Sequence, residues 1–477
     1  MQKILERDVW LRLVLTGGLA VLLGLHPLPH ILVGDLHNAQ LEMKTGNPAL
    51  AANSLLNAAQ YQPWRVDLRL EAARLSFQGG DFTTAIALFS SLELKTILTA
   101  QDWMLLGEAY QKTGGVAQVE DSWQHALEAG YDPFEVNSRL LDFYQDQRDQ
   151  AKMIQVLKNL VQLRPNQPQL YYQLGLYLAT FSPQDALVYL EQAAFLDSDL
   201  DEPTQKLRQN IRIAMLQDEP AYTLVQAGRA LAALGEWELA SQAFSRAADL
   251  RPDYAEGWAF YAEALQHLDG SDPQEAYAIL EQALRADPSS TAAHALMSLF
   301  WSRQGEDVNS LTALQQAARL KPDSAVFQTE LGRLYALQGD FTQAQSAYER
   351  AVQLAPLDGT YRRALVGFFL QYRIDIRQTA LPIARQMVLD TPKDPASLDL
   401  MGQVLFSLND HYGAMRLFER ALNMDPDHVP ALLHMGSVYL YLGEEIQAQF
   451  LLQRAADLAP QSSFQEQAER LIGFYFP

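Results

Sequence analysis

The chain has 477 residues, too many for one compact core, and with 48% hydrophobic residues and no low-complexity tract it belongs to neither the disordered nor the fibrous class. Its 57 acidic and 36 basic residues give a formal charge of −21, which disfavours a nucleic-acid partner, because phosphate backbones are held by clustered Lys and Arg. Cysteine is absent, which excludes disulfides, thiolate nucleophiles and Cys-ligated zinc.

No Asp, Glu, Lys or Arg occurs from Leu13 to Gly34, and the stretch Leu13 to Leu25 is almost purely aliphatic, with Lys3, Arg7 and Arg12 before it. A helix extended back through Val9, Trp10 and Leu11 reaches the ~20 residues a membrane span requires. Pro27 and Pro29 stop it. The residues after the apolar core offer no pair of small residues for cleavage, so the segment reads as an uncleaved anchor over residues 1–30, with membrane contact at about residues 9–26. The basic flank places the N-terminus in the cytoplasm and the remainder outside it. A buried helix packed on the first repeat is the alternative.

Beyond the anchor the chain is periodic. Pro252, Pro288, Pro322, Pro356, Pro392, Pro426 and Pro460 stand 34 or 36 residues apart. Small residues recur between them: Gly228 and Ala240, Gly332 and Ala344, Gly402 and Ala414, and Gly436 and Ala448, each alanine 12 residues after its glycine. Within one unit, Leu331, Gly332, Leu334 and Tyr335 precede Gly339, Asp340 and Phe341, then Ala344, Tyr348, Ala351 and Pro356. Apolar residues three and four apart, broken by Gly-Asp, describe two helices joined by a turn. The small pair marks where they approach closely.

Well-formed units fall at 221–254, 291–324, 325–358, 395–428 and 429–462, and units of two extra residues at 255–290 and 359–394, with the excess expected in the turn between helices. Weaker units in the same phase fill residues 31–200, one of them marked by Gly107, Tyr110 and Ala126. Residues 201–220 break the rhythm, with an amphipathic helix through Leu207, Ile211 and Met215 joining a block of five units to the seven-unit block at 221–462. Residues 463–477 add a helix that covers the last hairpin, with Phe464, Ala468, Leu471, Ile472 and Tyr475 on one face.

This pattern of aromatic, Leu-Gly, Tyr, Ala, aromatic, Ala and Pro resembles the tetratricopeptide repeat family. The resemblance implies an all-α, right-handed superhelical solenoid of about twelve helical hairpins, preceded here by one N-terminal transmembrane helix. It also implies that first helices line a concave face, where the residue after the Leu-Gly pair points inward. On that basis Glu108, Arg229, Glu263, Leu299, Arg333, Gln403 and Ser437 are candidate partner-binding residues, joined by the apolar Phe260 and Leu433 of the same helices. Gly107, Gly228, Gly332, Gly402, Gly436, Ala240, Ala344, Ala414 and Ala448 are the packing positions. Some relatives clamp an acidic chaperone tail with Lys and Asn, but the aligned positions here are Val225, Ala259, Thr329, Asp399 and Leu433, which argues against that ligand.

No catalytic or metal constellation emerges. His428 and His434 are six apart, off any common helical face, and the calcium-like run Asp197, Asp199 and Asp201 continues with Glu202 and Arg208 where Gly and Glu are required. The glycine pairs at 79–80 and 114–115 fall in turns and have no following Lys-Ser or Lys-Thr. The expectation is a protein-binding scaffold with no cofactor, metal or enzymatic activity. Its repeats would stand outside the cytoplasm and help assemble a bacterial-type membrane or envelope complex. A cytoplasmic-facing adaptor of a membrane enzyme and a noncatalytic binder in a carbohydrate-active system are the alternatives.

Overall fold

The computed structural model describes residues 30–91 and 95–476, in which helices alternate with turns and no strand occurs. The anchor expected at about residues 9–26 lies outside the described residues. Among the described residues no helix is long and apolar enough to cross a membrane. The chain divides into two compact units at Arg208 and Gln209.

The first unit contains five hairpins. They pair α1 (His30–Lys44) with α2 (Pro48–Tyr61), α3 (Val66–Gln78) with α4 (Phe82–Phe89), α5 (Ala100–Thr113) with α6 (Val116–Glu128), α7 (Pro133–Asp146) with α8 (Gln150–Leu163), and α9 (Pro168–Ala179) with α10 (Pro183–Leu196). Helix α11 (Asp201–Met215) crosses the division, and its Leu207, Ile211 and Ala214 are buried. The second unit contains seven hairpins: α12 (Pro220–Ala233) with α13 (Trp237–Leu250), α14 (Ala255–Leu265) with α15 (Pro273–Ala286), α16 (Thr291–Arg303) with α17 (Asp307–Leu320), α18 (Ala325–Leu337) with α19 (Phe341–Leu354), α20 (Gly359–Tyr372) with α21 (Leu381–Asp390), α22 (Pro395–Ser407) with α23 (His411–Met424), and α24 (Val429–Leu442) with α25 (Glu445–Leu458). Helix α26 (Ser463–Tyr475) packs on α25.

The boundaries follow from local chemistry. Each of the seven periodic prolines stands two residues beyond the last residue of a second helix, where it lacks the N–H that continuation needs. Acidic and hydroxyl caps open many helices; Asp340 accepts from the Gln343 N–H and Ser324 from the Phe327 N–H. The turn within a hairpin requires a left-handed residue. Gly339 supplies it at φ +79°, and in the same register Asn409 and Arg373 adopt +67° and +54°. The two-residue excess of the longer units does lie in these turns. Residues 266–272 separate α14 from α15, and a π-helical turn, Ile376–Ala380, precedes α21.

Packing within a hairpin centres on the glycine of its first helix. A Cβ added to Gly107 would stand 2.3 Å from Trp123 Nε1, at Gly228 2.6 Å from Phe244, at Gly332 2.8 Å from Tyr348, at Gly402 2.4 Å from Phe418, and at Gly436 2.9 Å from Leu452. Each partner lies 16 residues on, so the glycine clears a large side chain of the second helix. The alanines at Ala240, Ala344, Ala414 and Ala448 are fully buried one turn earlier on that helix. In the hairpin from Gly359 the sizes are exchanged, with Val366 in the glycine's place and Ala384 in the ring's, both buried. Ser298 and Ser310 replace the small pair in α16 and α17, and their hydroxyls satisfy each other at 3.0 Å.

At the C-terminus Phe464, Ala468, Leu471, Ile472 and Phe476 pack with α24 and α25 residues. Tyr475, expected on this packed face, is 51% exposed, and Phe476 packs instead.

Two glycine substitutions separate the roles of packing and propensity. Gly332→Leu drives a side chain into the Tyr348 ring and should lower unfolding free energy by about 1–3 kcal/mol through overpacking. Gly367→Ala, in the interior of α20 with nothing within 4 Å of the new Cβ, should raise it by about 0.5–1 kcal/mol. Urea denaturation of both variants measures the difference; equal effects would refute the packing assignment.

Candidate functional site

The candidate surface is built from successive first helices, which carry the residues at the register position after the recurring small residue. Their side chains do not point freely into solvent. Glu108 of α5 accepts from Arg139 of α7 at 2.5 Å. Arg229 of α12 lies 5.2 Å from the centroid of the Phe260 ring of α14, and Phe260 stacks on Phe244 at 5.4 Å. Glu263 of α14, only 9% exposed, receives both Arg303 terminal nitrogens, at 2.6 and 2.7 Å, from α16. Arg333 of α18 donates to Glu330 at 2.7 Å and reaches the Ser302 hydroxyl of α16 at 3.4 Å.

Further along, Asp399 of α22 is 4% exposed and bonded to His434 of α24 at 2.8 Å, while Gln403 donates to the same carboxylate at 2.8 Å. Ser437 turns its hydroxyl back to the Leu433 carbonyl at 2.9 Å. Leu433 itself is 2% exposed, within the core that α24 and α25 share, so it cannot serve as the partner contact that its register suggested. Val225 and Ala259, aligned with it, are buried for the same reason. Glu263 is likewise committed to a neighbouring repeat, which corrects its expected place among open groove residues. Arg229, Arg333, Gln403 and Phe260 remain at least partly exposed, as does Leu299 at 40%.

The sequence reading did not single out the partners in these links: Arg74, Asp102, Arg139, Arg303 and the role of His434. Arg74 of α3 grips Asp102 of α5 through two bonds of 2.7 and 2.9 Å, and Thr99 closes a capping box on the same carboxylate. Burial alone would push the Asp102 carboxyl up, but hydrogen bonds from Arg74 and Thr99 outweigh it and hold it below the usual range. Glu263 is held low by the same opposition, desolvation against Arg303 and His267. Opposite charges about one repeat apart were the available signal. His428 caps α24 by accepting from the Ala431 N–H, a structural use that accounts for it without a metal.

Models of the tetratricopeptide repeat match residues 36–96, 261–325, 325–358 and 405–468. The chain is a tetratricopeptide-repeat protein. The match at 325–358 coincides with the unit whose glycine and ring are Gly332 and Tyr348. The human protein O-mannosyl-transferase TMTC3 is 26% identical over 295 residues, covering 60% of this chain and 32% of that protein, so the match spans about a third of the relative's length. Among solved structures, the APC/C hetero-tetramer Cut9–Hcn1 is similar at a TM-score of 0.40 and 16% identity, covering 91% of this chain and 88% of that one. A tetratricopeptide repeat protein from Parabacteroides merdae is similar at 0.42 and 12%, covering 52% and 98%.

The buried link between α3 and α5 should be separable from surface ion pairs. Asp102→Asn should cost about 2–3 kcal/mol at pH 7, because an amide replaces the buried carboxylate that accepts from both Arg74 and Thr99. Since the folded pKa of Asp102 is depressed, the wild-type advantage should be complete above the ordinary carboxylate range and disappear as pH falls through the folded value. Asp67→Asn, in the exposed Arg65–Asp67 pair, should leave the melting temperature unchanged. Thermal melts of both variants from pH 7 to pH 3 provide the check.

Proposed function

We propose that this tetratricopeptide-repeat protein is a membrane-anchored scaffold that holds protein segments and helps assemble or stabilise a membrane or cell-envelope complex. The uncharged run from Leu13 to Gly34 supports the anchor, and the basic residues before it support an extracytoplasmic repeat region. The observation that carries the binding role is the repeated presentation of Arg229, Leu299, Arg333 and Gln403 at one register position on α12, α16, α18 and α22. With Phe260 beside Arg229, the set offers both apolar anchors and polar groups that orient an extended or helical segment. The links between repeats favour a preformed surface over one ordered by its ligand, which lowers the entropic cost of binding.

A second reading is a noncatalytic role in a carbohydrate-active system. The likeness to a protein O-mannosyl-transferase favours it: the repeats would present protein substrates to a membrane enzyme.

Two measurements test the first reading. A topology reporter fused after Pro477 should be active outside the cytoplasm; cytoplasmic activity would replace the envelope scaffold with a cytoplasmic-facing adaptor. Photocrosslinkers placed at Arg229 and Arg333 in intact cells should capture membrane or envelope proteins, and Arg333→Glu should reduce that capture about tenfold without altering the melting curve. Capture that survives the charge reversal would move the binding surface off the first helices.

A further inference from the structure

At three places along one edge of the second unit, the residue that opens a second helix packs its ring against the end of the next first helix. Trp237 lies flat on His267 at 3.6 Å and 5°, Phe341 stands against Tyr372 at 4.9 Å, and His411 against Tyr441 at 4.0 Å. Between α15 and α16 this rung is missing. Pro273 opens α15, three residues before Ala276, as Trp237 stands three before Ala240. Arg303, which would face it, is drawn away by Glu263.

The gap is a cleft of 560 Å³ lined by Pro273, Gln274, Tyr277, Phe300, Trp301, Gln304 and Glu306. Its aromatic wall is well ordered internally. Tyr277 and Trp301 have centroids 5.2 Å apart at 59°, and Phe300 and Trp301 5.2 Å apart at 72°. Phe300 is 3% exposed and forms the floor, whereas Tyr277 and Trp301 remain partly open. The Tyr277 hydroxyl is directed to Glu281 at 3.1 Å, which fixes the ring.

The groups at the mouth are hydrogen-bond acceptors or anions. Glu306 and Gln304 are exposed, and Asp272, immediately before Pro273, caps α15 by accepting from the Gln274 N–H at 2.9 Å. The surrounding charge has one sign. Residues 255–320 hold nine Asp and Glu against three Arg and no Lys, and two of those arginines are paired, Arg303 with Glu263 and Arg285 with Glu281.

We propose that this cleft receives an arginine side chain from an extended basic segment of a protein partner. A guanidinium is planar and weakly hydrated, so it can stack on Trp301 and Tyr277 while donating to Glu306 and Gln304 at the mouth. An ammonium matches this site less well, because it is strongly hydrated and cannot lie flat against a ring. Neutral apolar side chains would fill the wall but leave the acidic mouth without compensation. The site is separate from the first-helix register described above, so its loss leaves the scaffold reading in place.

The test uses the full chain labelled with 5-fluorotryptophan, the Trp301 resonance being identified by its disappearance in Trp301→Phe. The probes are the capped peptides Gly-Arg-Gly-Arg-Gly and its citrulline counterpart, which keeps the planar shape but replaces one NH2 with a carbonyl oxygen and so removes the charge and two of the five donors. Titration with the arginine peptide should shift the Trp301 signal saturably, the citrulline peptide should bind at least about tenfold more weakly, and Glu306→Gln should weaken arginine binding about fivefold. Glu306 is exposed and makes no side-chain bond among the described residues, so this variant should keep the wild-type melting curve. Equal binding of both peptides, an unaffected Glu306→Gln variant, or no shift of Trp301 up to about 10 mM peptide would overturn the assignment.

Discussion

In five hairpins the contact between one glycine and one large side chain 16 residues later sets how closely the two helices approach. A helix pair can close until its thickest side chain meets the opposing backbone, and removing the Cβ at that point lets an aromatic ring lie against the helix axis. Trp123, Phe244, Tyr348 and Phe418 differ in shape, yet each would crowd a Cβ at its glycine to under 3 Å. The exchange at Val366 and Ala384 indicates that the constraint is on summed volume. Either side of the contact can carry the bulk, provided that the other side gives it up. Stacking then repeats the same contact, so an error in one hairpin stays local while the orientation of the next first helix depends on it.

With the helices so placed, the first-helix faces of successive repeats approach within reach of long polar side chains. The chain uses this proximity for cohesion: Arg74 with Asp102, Glu108 with Arg139, Glu263 with Arg303, and Asp399 with His434 each join one repeat to the next. Buried carboxylates at Asp102 and Asp399 would be costly alone and are tolerated because the neighbouring repeat supplies the donor. Such links favour the correct order of repeats more than they raise stability, since a hairpin out of place would strand a buried charge.

The fold was legible where a residue's role depends only on its own repeat. Proline spacing placed the ends of the second helices, Gly-Asp placed the turns, and the two-residue excess was correctly assigned to the turns after α14 and α20. The surface was legible in part. The repeat pattern made Arg229, Glu263, Arg333 and Leu433 equivalent candidates, and it could not reveal that Glu263 is gripped by Arg303, 40 residues away, or that Leu433 faces the core. Those outcomes depend on the approach of two repeats, which the pattern within a single repeat does not encode. Tyr475 shows the same limit, since it shares the periodicity of the buried Ala468 and is nevertheless half exposed.

Departures from the repeat are therefore the informative positions. A solenoid accepts extra residues in a turn because the turn lies outside the glycine-ring contact, and lengthening a loop by two residues adds little closure entropy. The repeat with the lengthened turn at 266–272 also differs at the edge: Pro273 stands where Trp237, Phe341 and His411 stand in other repeats, and it supplies no aromatic ring. Arg303, freed from that rung, binds Glu263, and the space it leaves is walled by Trp301 and Tyr277. In this repeat an added link between repeats and an open aromatic cleft lie side by side. A partner that engages such a site gains a contact that the neighbouring repeats do not offer, which adds to the differences among Arg229, Leu299, Arg333 and Gln403 at the regular position.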